Sequence, residues 1–138
     1  MKFFKKDPEK TVLFVCVENA GRSQMAEGFF NKKAPKGYKA ISAGTKPVSQ
    51  INPLAVEVMQ EIGNQKPKDI TEDMIRNSTN TVNMGCMERE SCPTLFFYNL
   101  LDWNIEDPKG QSIERVREIR NEIERRVREL VTSLQNNQ

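Results

Sequence analysis

The stretch Thr11-Val12-Leu13-Phe14-Val15-Cys16-Val17-Glu18-Asn19-Ala20-Gly21-Arg22-Ser23-Gln24-Met25-Ala26-Glu27-Gly28-Phe29-Phe30 changes character twice. Residues 11–15 are continuously apolar or β-branched with no alternation, the pattern of a strand covered on both faces by helices, which predicts a central parallel strand. Residues 16–21 form a short loop, and from Ser23 onward Met25, Ala26, Phe29 and Phe30 fall on one helical face. The unit is strand, tight loop, helix. Sheets of this kind collect their ligands at the carboxyl ends of the strands, where Cys16 stands.

That placement gives Cys16 a chemical reading. A helix N-terminus offers unpaired N–H groups and a partial positive charge. A tetrahedral dianion can therefore sit there, accepting bonds from the amides of Val17, Glu18, Asn19, Ala20, Gly21 and Arg22. Arg22 would close the site with a bidentate fork matched to two anion oxygens. Free cysteine, of pKa about 8.5, is only a few per cent ionised at neutrality, and helix N-termini with adjacent cations favour its thiolate. Ser23 can donate its hydroxyl to that sulfur, and the Asn19 side chain can bridge loop amides. The bland alternative is a buried strand-end thiol with an unrelated arginine downstream. A strand before, Arg22-Ser23 after and a helix following weigh against it.

Working outward, a second strand fits 38–43 after the Pro35-Lys36-Gly37 breaker, and Asn52-Pro53 offers an N-cap followed by proline at the first helical position. Leu54, Val58 and Ile62 give that helix an apolar stripe before Gly63 ends it. Thr71 can cap a short helix through Asn77, a third strand is expected at 81–84, and a fourth at 95–101. From Ser112 the positions Ile113, Val116, Ile123, Val127, Leu130 and Leu134 recur at helical spacing, with Glu122/Arg126 and Glu124/Arg128 as i,i+4 pairs. Glutamates interleave the arginines there, so the helix reads as a solvated cover and not as a nucleic-acid surface. Strands alternating with helices predict an α/β fold, a single-domain doubly wound parallel four-stranded sheet flanked by helices.

Composition narrows the chemistry. The 138 residues suit one domain spanning 1–138, and 21 Lys plus Arg against 19 Asp plus Glu leave +2, with no field that marks nucleic acid or anionic lipid as a partner. No apolar run has signal-peptide or membrane-span length, so a cytoplasmic location is expected. In a reducing compartment the three cysteines are thiols, and their odd number excludes a closed static disulfide framework. With no histidine in the chain, Cys-His and Ser-His catalysis are excluded. An all-N/S zinc site is excluded as well, and no metal is assigned.

The segment from Val12 to Phe29 resembles the active-site segment of arsenate reductases built on the low-molecular-weight protein tyrosine phosphatase fold. The motifs Ser42-Ala43-Gly44-Thr45, Asn52-Pro53, Lys66-Pro67-Lys68, Met84-Gly85-Cys86, Cys92-Pro93, Asp102-Trp103 and Asp107-Pro108 follow in the family's order. The resemblance implies that Asp107 is the general acid, which lowers the barrier for a poor leaving group by ~10² to 10⁴. Read alone, Asp107 is a loop residue that starts the turn before Lys109-Gly110. The resemblance also implies that Cys86 attacks the Cys16 adduct, that Cys92 attacks Cys86, and that thioredoxin, as external reductant, opens the Cys86 to Cys92 disulfide. Arsenate is then the substrate, with phosphate or sulfate as analogues, no cofactor is tightly bound, and the protein is a monomer with residual phosphatase activity.

Some members hold a potassium ion near the loop, and Asn19, Glu27 and Ser42 match that pattern without a complete ligand set. The chain departs from the family at Glu18, commonly Gly, and at Gly21, commonly a second Cys. It is also shorter after Gly63, and Cys86 and Cys92 stand one residue closer than in some relatives. Two alternatives stay open: a low-molecular-weight tyrosine phosphatase hydrolysing phosphomonoesters, and a non-enzymatic oxyanion or redox sensor. Lys109 stands where the phosphatases usually carry Tyr after their Asp-Pro.

Overall fold

The stretch from Lys10 to Cys16 forms β1 and is hydrogen-bonded to a strand on either side. The computed structural model of the protein describes residues 10–16, 21–44, 52–58, 70–85 and 100–136. In chain order the described elements are β1 (Lys10–Cys16), α1 (Arg22–Lys33), β2 (Tyr38–Gly44), α2 (Pro53–Val58), α3 (Glu72–Asn77), β3 (Asn80–Asn83), β4 (Leu100–Asp102) and α4 (Ile113–Asn136). The sheet runs β2-β1-β3-β4 with every neighbouring pair parallel. This is the four-stranded doubly wound arrangement expected of an unbroken apolar β1.

Alternation along β1 explains why that run needs no polar positions. Val12, Phe14 and Cys16 enter a cluster with Met25, Ala26 and Phe30 of α1 and Ile119, Ile123, Val127 and Leu130 of α4. Leu13 and Val15 enter a second cluster with Ala43 and Ile75 of α3. Successive side chains point to opposite faces of the sheet, so each face receives its own apolar row. The Phe14 ring lies 6.1 Å from Phe30 edge-on and 5.6 Å from Trp103. Burying each such ring contributes roughly 1.5–3 kcal/mol.

Local chemistry sets several boundaries where expected. Asn52 Oδ1 accepts from the Leu54 amide at 2.9 Å, with Pro53 opening α2. Thr71 Oγ1 accepts from the Met74 amide at 3.1 Å and caps α3. In α4 the buried stripe is Val116, Ile119, Ile123, Val127, Leu130, Val131 and Leu134, so Ile119 and Val131 join the expected positions while Ile113 is only half-buried. The opposite face carries ion pairs, Glu122 with Arg125 and Arg126 among them.

Other boundaries move. β3 begins one residue earlier than expected, because Asn80 pairs with Val12. The last strand lies at Leu100–Asp102, later than the 95–101 expectation, because its pairing partner is the 81–83 stretch of β3. Residues 95–99, and the shortened segment after Gly63, lie outside the described residues. Among the described residues no helix is long and apolar enough to cross a membrane.

The register brings functional positions together. Cys16 pairs with Gly44, Val15 with Asn83, and Asn83 with Asp102, so the carboxyl ends of all four strands share one edge. The backbone extends the ladder past the strands: the Trp103 amide donates to Asn83 O at 2.9 Å, and the Ile105 amide to Met84 O. The chain leading to Asp107 is thereby tied to the end of β3.

Candidate active site

Cys16 ends β1 and is buried, with its Sγ 2.8 Å from the Ser23 hydroxyl in the first turn of α1. Strand and helix thus supply the sulfur and its polar partner from the two sides of one short connection, as the sequence led us to expect. Donation from the hydroxyl stabilises a thiolate. α1 starts at Arg22, one residue before its expected start, after Gly21, which makes no side-chain cap bond, and no acidic residue occupies its first turn. The positive end of this helix therefore faces no carboxylate of its own first turn.

Arg22 is only 5% exposed, and its guanidinium is fixed by the chain that follows β4. Nη1 donates to the Ile105 carbonyl at 2.8 Å, and Nη2 lies 3.8 Å from Asp107 Oδ2. At that separation the two charges attract without a hydrogen bond joining them. Asp107 is more than half exposed, and its Oδ1 accepts from the Lys109 amide at 3.0 Å. Asp107 thus starts the turn before Lys109-Gly110, as its local sequence suggests, and also faces the arginine. Its neighbour Glu106 points elsewhere, paired with Arg115, whose hydrogen bond holds the Glu106 carboxyl below its ordinary range.

Glu27 is also buried, contrary to the surface position that a helix acid ordinarily takes, and its Oε1 accepts from the Ser42 hydroxyl at 3.1 Å. Two oxygen groups side by side are the donor type that hard cations take. Asn19, the third residue of the potassium pattern, lies outside the described residues. Among the described residues there is no group of three His, Cys, Asp or Glu that could hold a metal.

Two contributors carry no side-chain signature in the sequence. One is the Ile105 carbonyl, a main-chain acceptor. The other is Gly85, at φ +141, where an added Cβ would lie 2.8 Å from Ile105 O and 3.1 Å from Arg22 Nη1. Gly85 was visible only as part of the Met84-Gly85-Cys86 motif. The buried Asn83 side chain accepts from the Gly85 amide at 3.1 Å.

The structure thus joins Cys16, Arg22, Ser23, Gly21 and Asp107 at one edge of the sheet. Val17, Glu18, Asn19, Ala20, Cys86 and Cys92, also singled out in the sequence, lie outside the described residues. Cys86 follows Gly85 directly in the chain, one residue from the point where the backbone passes Arg22.

Comparison with known proteins agrees with this geometry. A family model described as low molecular weight phosphotyrosine protein phosphatase matches residues 11–138. A putative arsenate reductase of Halobacterium salinarum is 35% identical over 127 residues, which cover 85% of this chain and 87% of the relative. Among solved structures, a thioredoxin-dependent arsenate reductase of Corynebacterium glutamicum superposes with a TM-score of 0.79 at 39% identity, covering 95% of this chain and 64% of that one. This chain therefore spans just under two thirds of the Corynebacterium protein. An arginine phosphatase from Geobacillus stearothermophilus superposes with a TM-score of 0.83 at 27% identity, covering 94% of this chain and 95% of its own.

Proposed function

This chain belongs to the low molecular weight phosphotyrosine protein phosphatase family, and we propose that it reduces arsenate to arsenite with Cys16 as nucleophile. The observation that carries the reading is the Cys16 sulfur, hydrogen-bonded at 2.8 Å to Ser23 in the first turn of α1, beside an arginine that is itself 3.8 Å from a carboxyl group. That set provides a nucleophile, an anion grip and a proton donor. The arsenate reductases among its relatives supply the substrate class.

In the proposed sequence the α1 end and Arg22 hold arsenate while the Cys16 thiolate attacks arsenic. An As–S bond forms, an As–O bond breaks, and Asp107 gives its proton to the departing oxygen, which leaves as water. The Cys86 thiolate then attacks Cys16 Sγ. A disulfide forms, the As–S electron pair passes to arsenic, and arsenic falls from the pentavalent to the trivalent state as arsenite departs. Cys92 attacks Cys86, freeing Cys16, and an external dithiol reduces the Cys86 to Cys92 bond. We assign thioredoxin that last role, in keeping with the thioredoxin dependence of the Corynebacterium protein. The chain acts as one cytoplasmic, monomeric domain without a tightly bound cofactor.

Hydrolysis of phosphomonoesters uses the same grip, nucleophile and acid, and the arginine phosphatase neighbour favours it as the second reading. Only the two further thiols separate the activities, because hydrolysis needs one thiolate and water, whereas arsenate must receive two electrons. The test is arsenite production with thioredoxin, thioredoxin reductase and NADPH, for the native chain and for Cys16→Ser, Cys86→Ser and Cys92→Ser. Each substitution is expected to abolish multiple turnover. Arsenate binding with no arsenite from the native chain would overturn the assignment in favour of a sensor, and turnover unaffected by Cys86→Ser would overturn the relay.

A further inference from the structure

We propose that Glu106 and Arg115 are positioning residues, an ion pair that clasps the segment carrying Asp107 to the first turn of α4 and thereby fixes where the acid stands. The inference rests on the acid role proposed above for Asp107. It gives a function to an arginine that its own helix does not call for.

Ser112 caps α4: its Oγ accepts from the Arg115 amide at 3.2 Å, and its carbonyl accepts from the Val116 amide at 2.9 Å. Three places after a serine cap a helix ordinarily takes Glu or Gln, whose side chain reaches back to the cap amide. Arginine has no acceptor for that bond, and its charge opposes the positive end of the helix. The Glu118 pair one turn along supplies no reason either, since a cation N-terminal to its acid is the weaker orientation on a helix. What Arg115 does gain lies outside α4. Its Nε donates to Glu106 Oε2 at 2.9 Å and its Nη2 to Glu106 Oε1, a two-point fork that fixes direction as well as distance.

Successive residues of the segment are thereby held by different parts of the fold. Ile105 is tied through its amide to Met84, just past β3, and through its carbonyl to Arg22 of α1, whose Nη1 donates to it at 2.8 Å. Glu106 is tied to α4 by the fork. Asp107 turns the other way, with Oδ2 3.8 Å from Arg22 Nη2 and Oδ1 accepting from the Lys109 amide at 3.0 Å. Adjacent carboxyl groups thus face different arginines, and by holding Glu106 on the α4 side Arg115 leaves Asp107 as the carboxyl presented to the site. Proton transfer in a transition state is sensitive to small displacements of the acid. The Glu106 and Arg115 side chains are 42% and 44% exposed, so the clasp contributes what a surface pair does, a factor of about two to five in how often the segment is aligned.

Single-turnover arsenite formation at saturating arsenate should therefore be about two- to fivefold slower in Glu106→Ala and in Arg115→Ala alike. A field effect alone would drive the two apart, because losing the carboxylate makes the site more positive and losing the guanidinium makes it more negative. The inhibition constant of inorganic phosphate should stay within about twofold of native in both. The double variant should be no slower than either single one. Once Asp107→Asn has removed the acid, Arg115→Ala should have no further effect. Glu118→Ala takes away the other partner of Arg115 but leaves the fork, and should react at the native rate. Amide exchange at Lys109, whose N–H is bonded to Asp107, should quicken by a similar factor in Arg115→Ala, a reading that needs no turnover. Native turnover in Arg115→Ala, opposite changes in the two single variants, additive losses in the double variant, an Arg115→Ala effect that persists beside Asp107→Asn, or an equally slow Glu118→Ala would overturn the proposal. Failure of the native chain to form arsenite would instead overturn the function proposed above, and unchanged exchange at Lys109 would then still sink the clasp.

Discussion

Ser23 and Cys16 lie 2.8 Å apart, and Ser23 has no exposed surface through which water could replace it. A hydrogen bond to a charged group contributes roughly 1.5–3 kcal/mol, so removing the hydroxyl should slow any reaction of the thiolate by about tenfold or more. Ser23→Ala is accordingly expected to slow alkylation of Cys16 by iodoacetamide, measured with Cys86 and Cys92 both changed to Ser, while phosphate still binds through Arg22. Equal alkylation rates would remove the hydroxyl from the account. At this scale Cys16, Ser23 and Arg22 were legible because their side chains are of reactive or polar types and their spacing puts them on a strand end and a helix start. Asp107 was legible through its Asp-Pro context in the family. Gly85 and the Ile105 carbonyl were not, since a main-chain acceptor and a missing side chain leave no residue-type signal.

Helix α4 shows what an element contributes through its packing and its surface charge. Its apolar stripe closes the cluster around Phe14 and Phe30, and its exposed face is laced by arginine and glutamate. Hydrogen bonds from Arg125, and then Arg126, hold the Glu122 carboxyl below its ordinary value of 4.5. A carboxyl lowered in the folded state stabilises the fold at pH values above the unfolded-state pKa, and that increment is lost as pH falls through the folded value. Glu122→Gln should therefore lower Tm slightly at pH 7, on the order of 0.5 kcal/mol for a surface pair of this kind. Thermal melts should show the difference shrinking toward zero as pH falls through and below the lowered folded-state value. A difference that grows on acidification would contradict the assigned sign. Helix α1 is the opposite case: Arg22, Ser23, Gln24 and Glu27 are buried beside Met25 and Ala26, so its first turns are covered all round. The apolar face of α1 was readable from its period, but the burial of Glu27 was not, because helical spacing cannot reveal a second surface that closes over the polar side.

At the scale of the whole molecule, the larger of the two apolar clusters among the described residues reaches from β1 to α4 and includes Trp103, the only tryptophan in the chain. Trp103 is buried, packs on Phe14 and carries the backbone tie to β3, next to the segment that presents Asp107. Its fluorescence therefore reports the site edge, while far-UV circular dichroism is dominated by helices, of which α4 is the longest described. If the chain unfolds as one domain, the two signals should share a single midpoint in urea. Separate midpoints would mean that the site edge and the helical layer open independently, and the single-domain reading would fail.

Amino-acid order alone determined the strand that ends at Cys16, the helix that begins at Arg22, the parallel architecture and the apolar stripe of α4, because each follows from a local pattern at the period of its own element. It also excluded histidine-based catalysis outright. Tertiary structure decided which distant groups meet: Ile105 and Asp107 on Arg22, Pro108 on Gly21, and Ser42 on Glu27. Those contacts depend on strand order and register, which bring chain segments far apart in sequence to one edge of the sheet, and no local period encodes them.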